Sequence, residues 1–104
     1  MLPSIAEKRA DLAALCRRYG VARLDVFGSA ARVSDFDEAD SDIDFLVVLE
    51  APADDLTRLL GLLAALENLL HRRVDLQTRR AVETSRNYIR RRHILEGARA
   101  VYAA

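Results

Sequence analysis

Residues 41–49, SDIDFLVVL, are the most informative stretch for the fold class, because two acids in it precede five consecutive apolar residues. Such a run is too apolar for a strand with one face in water, so residues 42–49 are predicted to form a central strand covered on both faces. Asp42 and Asp44 lie two residues apart at its start. Their side chains are expected on one face, with Cα atoms roughly 6.5 Å apart.

Helices and strands are predicted on both sides of this strand from hydrophobic spacing and turn residues. One apolar stripe predicts a helix over residues 4–19, in which Ser4 and Glu7 form a capping box and Gly20 follows as the stop. The remaining predicted elements are a strand over 22–27, a helical turn over 30–32, a polar loop over 33–41, a helix capped by Asp54 and ending near residue 70, an edge strand over 73–78, a helix over 79–97 and a last strand at 101–102.

Composition limits the class of protein. The 104 residues suit one domain, expected to span 1–104, and 51% hydrophobic residues supply a core. No apolar run approaches the roughly 18 residues that cross a bilayer, and the lone Cys16 lies in an apolar stripe, so a soluble cytoplasmic protein with a buried thiol is expected. Zero formal net charge argues against direct nucleic-acid binding.

Charge is unevenly distributed along the chain. Residues 1–70 hold 7 bases and 13 acids, a balance of −6, whereas residues 71–104 hold 9 arginines and 3 acids, a balance of +6. This asymmetry favours charge-steered docking of a partner, unless the arginines only solvate helix surfaces. The helix over 54–70 has a leucine surplus, with Leu62 and Leu69 outside the main stripe. A partner, a second copy or neighbouring helices would cover them.

Asp42 and Asp44 are the first candidates for chemistry. Neighbouring carboxylates repel, and a divalent cation such as Mg²⁺ or Mn²⁺ relieves that repulsion through the hard oxygen ligands it prefers. The alternative is that Ser41 and Asp42 finish a turn and Asp44 caps a nearby element. Asp75, flanked by apolar residues on a second strand, favours the metal site, because three acids suit the two-ion arrangement of phosphoryl transfer.

A glycine turn supplies the complementary part of this site. Gly28 allows backbone N–H groups to approach a phosphate, and Ser29 adds a hydroxyl, although Ser29 is equally suited to cap a helix. Arg32, one helical turn later, is placed to reach the same phosphates or the acidic loop.

These motifs together resemble the minimal nucleotidyltransferase (MNT) family of the DNA polymerase β superfamily. The family pattern is GSxxRG, a variable loop, SDIDLxV and a later VDL. Here it reads GSAARV at 28–33, SDFDEAD at 34–40, SDIDFLVV at 41–48 and VDLQT at 74–78. The resemblance extends to LDVF at 24–27 and to the last eighteen residues. Val33 replaces the usual Gly, which puts the role of Arg32 in question.

The resemblance implies an α/β (α+β) palm of the polymerase-β type, a small mixed sheet flanked by helices. It implies that two Mg²⁺ ions bind Asp42, Asp44 and Asp75, with Asp75 also activating the acceptor oxygen. ATP would be the substrate. The residues that it implies for nucleotide binding are Gly28, Ser29, Arg32 and Ser41.

Many members of this family are antitoxins encoded beside HEPN-domain ribonuclease toxins, which implies AMP transfer to a tyrosine of such a toxin. Two other functions are weighed against this one. The first is a non-catalytic antitoxin that neutralises the toxin by forming a complex with it; a homo-oligomer or a hetero-oligomer with the toxin is compatible with either function. The second is transfer to a small molecule, which ranks last because 104 residues leave no second domain to hold that acceptor.

Overall fold

The structure is a computed structural model that describes residues 3–28, 42–52 and 55–104. Its helices are α1 (Pro3–Glu7), α2 (Arg9–Arg18), α3 (Leu56–Leu70), α4 (Arg79–Glu83) and α5 (Tyr88–Gly97). Its strands are β1 (Val21–Phe27), β2 (Ile43–Leu49), β3 (Val74–Thr78) and β4 (Arg99–Ala103). No helix in these three ranges is long and apolar enough to cross a membrane.

The strands form one mixed sheet in the order β3-β2-β1-β4. Strand β1 pairs antiparallel with β2 and with β4, whereas β2 pairs parallel with β3 through the crossover of α3. The apolar stretch that begins at Ile43 is therefore central, as predicted, and β3 lies at an edge, also as predicted. The predicted mixed α/β fold is confirmed.

Each face of the sheet carries a core. The larger core contains Phe45 and Val47 of β2 and is covered by α1, α2 and α3. The smaller core contains Phe27, Leu46, Val82 and Ile94, so α4 and α5 cover the opposite face. Because side chains alternate along a strand, Asp44 lies on the same face as Leu46. The smaller core thus positions the candidate site.

Cys16 belongs to the larger core. It is buried, and this burial raises the pKa of its thiol to about 11, so the thiol stays protonated and unreactive at neutral pH. The prediction of a buried structural cysteine is confirmed.

Two predicted helices are divided in the structure. The helix predicted over 4–19 breaks at Lys8, and Ser4 lies inside α1 rather than capping it, because Pro3 already occupies an early helical position. The helix predicted over 79–97 breaks after Glu83. There the Thr84 hydroxyl donates to the Arg80 carbonyl at 2.8 Å and the Asn87 side chain caps α5, so local side-chain bonds replace helix continuation.

Helix α3 differs from its prediction in its cap and in its buried stripe. Asp55, not Asp54, is the N-cap, with Oδ1 accepting from the Arg58 backbone N–H at 3.0 Å; Asp54 lies outside the described residues. Leu62, predicted to lie off the stripe, is fully buried. Leu56 and Leu60 are instead 67% and 56% exposed, so neighbouring elements cover much of the leucine surplus but not these two.

Candidate functional site

Strands β2 and β3 place two carboxylates side by side. Asp44 and Asp75 are register partners in the parallel pairing, on strands that run about 4.8 Å apart. The predicted grouping of Asp75 with Asp44 requires that the two strands be neighbours, and they are. Asp75 is exposed at the sheet edge, whereas Asp44 is only partly exposed.

Asp44 is electrostatically strained by this arrangement. The pKa of its carboxyl is raised from 3.8 to about 6, first by burial and then by the charges of Asp75 and Asp42 and a hydrogen bond with Asp75. The Arg90 guanidinium acts in the opposite direction. The site therefore holds more negative charge at neutral pH than its surroundings stabilise, which is the condition that a bound cation relieves.

Gly28 lies directly against the Asp44 carboxylate. Its φ is +68°, in the left-handed region, and a Cβ on this residue would stand 2.6 Å from Asp44 Oδ2. Both the backbone conformation and the close contact require glycine at this position. From the sequence, Gly28 was predicted to let backbone N–H groups approach a phosphate. The structure adds that Gly28 makes room for the acid.

Asp42 is placed differently from Asp44 and Asp75. Its Oδ1 lies 3.1 Å from Arg73 Nε, and both side chains are largely exposed. In the part of the chain that the structure describes, no three or more His, Cys, Asp or Glu side chains are grouped as metal ligands. The three acids thus lie at one end of neighbouring strands without their carboxylates converging, and the metal set of Asp42, Asp44 and Asp75 stays a prediction.

Three further predicted residues, Ser29, Arg32 and Ser41, lie outside the described residues, as does Val33. Their predicted contacts with nucleotide therefore stay predictions.

A cleft of about 210 Å³ opens beside the two adjacent acids. Its sheet side presents Asp44, Asp75 and Gln77, and its helical side presents Arg90 and His93 of α5. The remaining lining residues are Phe27, Gly28 and Ile94.

Gln77, Arg90 and His93 were not predicted as site residues. Two local signals pointed to them: Gln77 follows Asp75 by two residues on a strand, and Arg90 and His93 are three apart on a helix. The packing of α5 on the sheet, which brings them to the acids, is not visible in the sequence.

Asp25 is a buried acid that the sequence did not distinguish. It is 1% exposed, and its carboxylate contacts Arg23 Nε at 2.9 Å and Arg79 Nη1 at 3.4 Å. These contacts join β1 to the start of α4. Because both carboxylate oxygens are engaged by arginines, Asp25 serves the structure of this face rather than the cleft.

A mixed sheet with adjacent carboxylates on neighbouring strands and a glycine turn against them has the architecture of a phosphoryl-transfer domain. The sequence profile described as "Nucleotidyltransferase domain" matches residues 12–97, and the chain belongs to this family. The resemblance noted from the motifs is thereby confirmed. Proteins of this family use a nucleoside triphosphate and a divalent metal to transfer a nucleotide.

Solved structures agree with this assignment. One assigned as a minimal nucleotidyltransferase superposes with a TM-score of 0.72 at 35% identity, covering 90% of this chain and 89% of the other. A toxin–antitoxin complex with AMP-PNP gives 0.67 at 18% identity, covering 92% and 73%. The tri-AMPylated Shewanella oneidensis HEPN toxin in complex with MNT antitoxin gives 0.64 at 17% identity, covering 96% and 73%. Functionally curated proteins give no significant match.

Proposed function

We propose that this protein transfers AMP from ATP to a tyrosine hydroxyl of a partner HEPN toxin, in a Mg²⁺-dependent reaction that makes it an antitoxin. The observation that carries the proposal is the pairing of Asp44 with Asp75 in register on β2 and β3, with a raised pKa on Asp44. Two adjacent like charges lower the stability of the fold, so their position beside a cleft indicates a functional site.

The donor set fits magnesium. Carboxylate oxygens are the hard ligands that Mg²⁺ prefers, and the repulsion that raises the pKa of Asp44 would be neutralised by such an ion. Asp42, Asp44 and Asp75 would hold the metal. Asp42 would exchange its exposed contact with Arg73 for the ion, a small loss because exposed ion pairs contribute about 0–1 kcal/mol. When bound, two such ions supply charge stabilisation to the attacking and leaving oxygens.

Residues of the chain would also bind the phosphates and accept the proton of the acceptor. Gly28 and Ser29 would hold the terminal phosphates through backbone N–H groups and a hydroxyl, with Arg32 and Ser41 beside them. The acceptor oxygen would attack the α-phosphorus while the bond to the bridging oxygen breaks, releasing pyrophosphate. Asp75, exposed at the sheet edge, would accept the proton of the acceptor hydroxyl.

A separate protein is the acceptor that fits the site best. Asp75 is exposed, so a side chain of another protein can reach it. The similar complex in which a HEPN toxin is AMPylated favours a HEPN toxin as that protein.

The test is transfer of label from α-labelled ATP to a purified HEPN partner in the presence of Mg²⁺. Wild-type protein should label the partner, and omission of Mg²⁺ or the substitutions Asp44→Asn and Asp75→Asn should each abolish labelling. Asp11→Asn, which changes an exposed acid on α2, is the matched control and should label normally. Equal labelling by wild type and Asp44→Asn would contradict the proposal.

A second function, neutralisation of the toxin by binding alone, is favoured by one observation. Leu56 and Leu60 are exposed one helical turn apart on α3, which is the spacing of a contact stripe for a partner protein. If binding alone suffices, the Asp44→Asn/Asp75→Asn double variant will still inhibit the toxin's ribonuclease activity, whereas Leu56→Ser/Leu60→Ser will not. The opposite pattern favours catalysis.

A further inference from the structure

The Asp75 carboxylate requires a hydrogen-bonding partner to keep one orientation. Asp75 lies exposed on the edge strand, so its carboxylate is free to rotate and to bind water. Its register partner Asp44 also repels it when both are ionised. Among the described residues, it shares a hydrogen bond with the Asp44 carboxyl and receives one from a side-chain amide. Gln77 Nε2 donates to Asp75 Oδ2 at 3.3 Å.

Gln77 is itself oriented from the other side of the cleft. It follows Asp75 by two residues and therefore lies on the same face of the strand. Its Oε1 accepts a hydrogen bond from Arg90 Nη2 at 3.4 Å. Because a carboxamide has an acceptor end and a donor end, the arginine at Oε1 directs Nε2 toward Asp75.

The backbone position of Arg90 on α5 is fixed by its neighbours. Its backbone N–H donates to the capping side chain of Asn87 at 3.2 Å, and Ile94, one turn further along, is buried in the smaller core. The helix is thus anchored at both ends of this segment. Arg90, Gln77 and Asp75 all line the same cleft.

We propose that Gln77 and Arg90 form a positioning pair that holds the Asp75 carboxylate toward Asp44 for catalysis. The inference rests on the function proposed above. It assigns the two residues no contact with substrate: Gln77 acts through Asp75, and Arg90 acts through Gln77 in addition to its charge effect on Asp44. The pair also connects α5 to the sheet edge, so displacement of α5 would release Asp75.

Gln77→Glu separates positioning from a purely structural role. The substitution keeps the size of the side chain and gives Arg90 an ion-pair partner, but it removes the donor to Asp75 and adds a negative charge beside it. The free energy of unfolding should change little, because the new ion pair with Arg90 offsets the repulsion from Asp75. The kcat of AMP transfer should fall about tenfold or more, and by a larger factor than KM for ATP rises, because a misplaced proton acceptor impairs the chemical step.

Arg90→Ala has a matched control on the same helix. Arg92 is equally a surface arginine of α5, but its guanidinium contacts Glu96 at 2.9 Å and does not line the cleft. Arg90→Ala should lower kcat about tenfold, whereas Arg92→Ala should leave it within about twofold. In a Gln77→Ala background, Arg90→Ala should have a smaller further effect than in wild type, because only its direct charge on Asp44 is then lost.

A second readout does not depend on transfer. The side-chain amide protons of Gln77, observed by NMR in the protein alone, should shift in Arg90→Ala and in Asp75→Asn and stay unchanged in Arg92→Ala. A Gln77 amide that responds to neither substitution, or a Gln77→Glu variant with unchanged kcat, would overturn the positioning pair. A wild-type protein that labels no partner, while the Gln77 amide responds as expected, would contradict the proposed function and leave the pairing demonstrated.

Discussion

At the scale of single residues, Gly28 and Asp44 depend on each other. The left-handed backbone of Gly28 ends β1 at the point where the Asp44 carboxylate needs space, and the Cβ of any other residue would stand 2.6 Å from Oδ2. Two consequences can be measured, one for the glycine and one for the acid.

Gly28→Ala should cost about 1–2 kcal/mol in the free energy of unfolding from the left-handed backbone alone, and it should also displace the Asp44 carboxylate. Urea unfolding measures the first effect, and Mg²⁺-dependent nucleotide binding measures the second. Gly97→Ala is the control, because nothing lies within 4 Å of its Cβ position and its φ is ordinary. A Gly28→Ala variant as stable as Gly97→Ala would contradict the strain described.

Asp44 should make stability depend on pH in a specific direction. Its pKa is about 6 in the folded protein, above the ordinary value of 3.8, so the fold favours the protonated form. This contribution is fully present below about pH 3.8 and is lost as pH rises through about 6. Stability measured by urea unfolding should therefore fall between these values in wild type and in Asp11→Asn. In Asp44→Asn the fall should be smaller; an equal fall would contradict the shifted pKa.

At the scale of helices and strands, α3 shows how far sequence patterns reach. The helix was predicted from its leucines, but the buried stripe is rotated from the predicted one, so Leu62 points into the core and Leu60 into solvent. Several leucine stripes are compatible with one sequence. The packing partner selects among them.

Two leucines of α3 give a direct comparison. Leu62→Ala should cost about 2–5 kcal/mol in the free energy of unfolding, because it opens a cavity in the larger core. Leu60→Ala should change it by less than about 0.5 kcal/mol, since the side chain is 56% exposed and alanine favours helix. Chemical denaturation of both variants checks this, and similar losses in the two would mean that the stripe is assigned wrongly.

The same limits apply to the other elements. The apolar run after Asp44 and the polar end of β3 were sufficient to predict a central strand and an edge strand, because burial on two faces leaves a clear composition. The breaks at Lys8 and after Glu83 were not predicted, because short-range bonds such as that of the Thr84 hydroxyl compete with the helix at single residues.

At the scale of the whole molecule, the site is the product of packing on both sides of the sheet. The acids and Gly28 could be predicted from motif and strand spacing alone. Gln77, Arg90 and His93 could not, since their place depends on how α5 lies on the smaller core. The basic C-terminal third identified from composition thus contributes Arg90 to a cleft that it shares with Asp44 of the acidic front half.

We propose that Asp44 and Asp75 form the metal-dependent nucleotide site, a claim that calorimetric binding of AMP-PNP tests without a partner protein. Wild type and Asp11→Asn should bind AMP-PNP only when Mg²⁺ is present. Asp44→Asn and Asp75→Asn should each lose about tenfold or more in affinity, because each removes a charged ligand. Binding of equal strength without Mg²⁺, or binding unaffected by both substitutions, would contradict the claim.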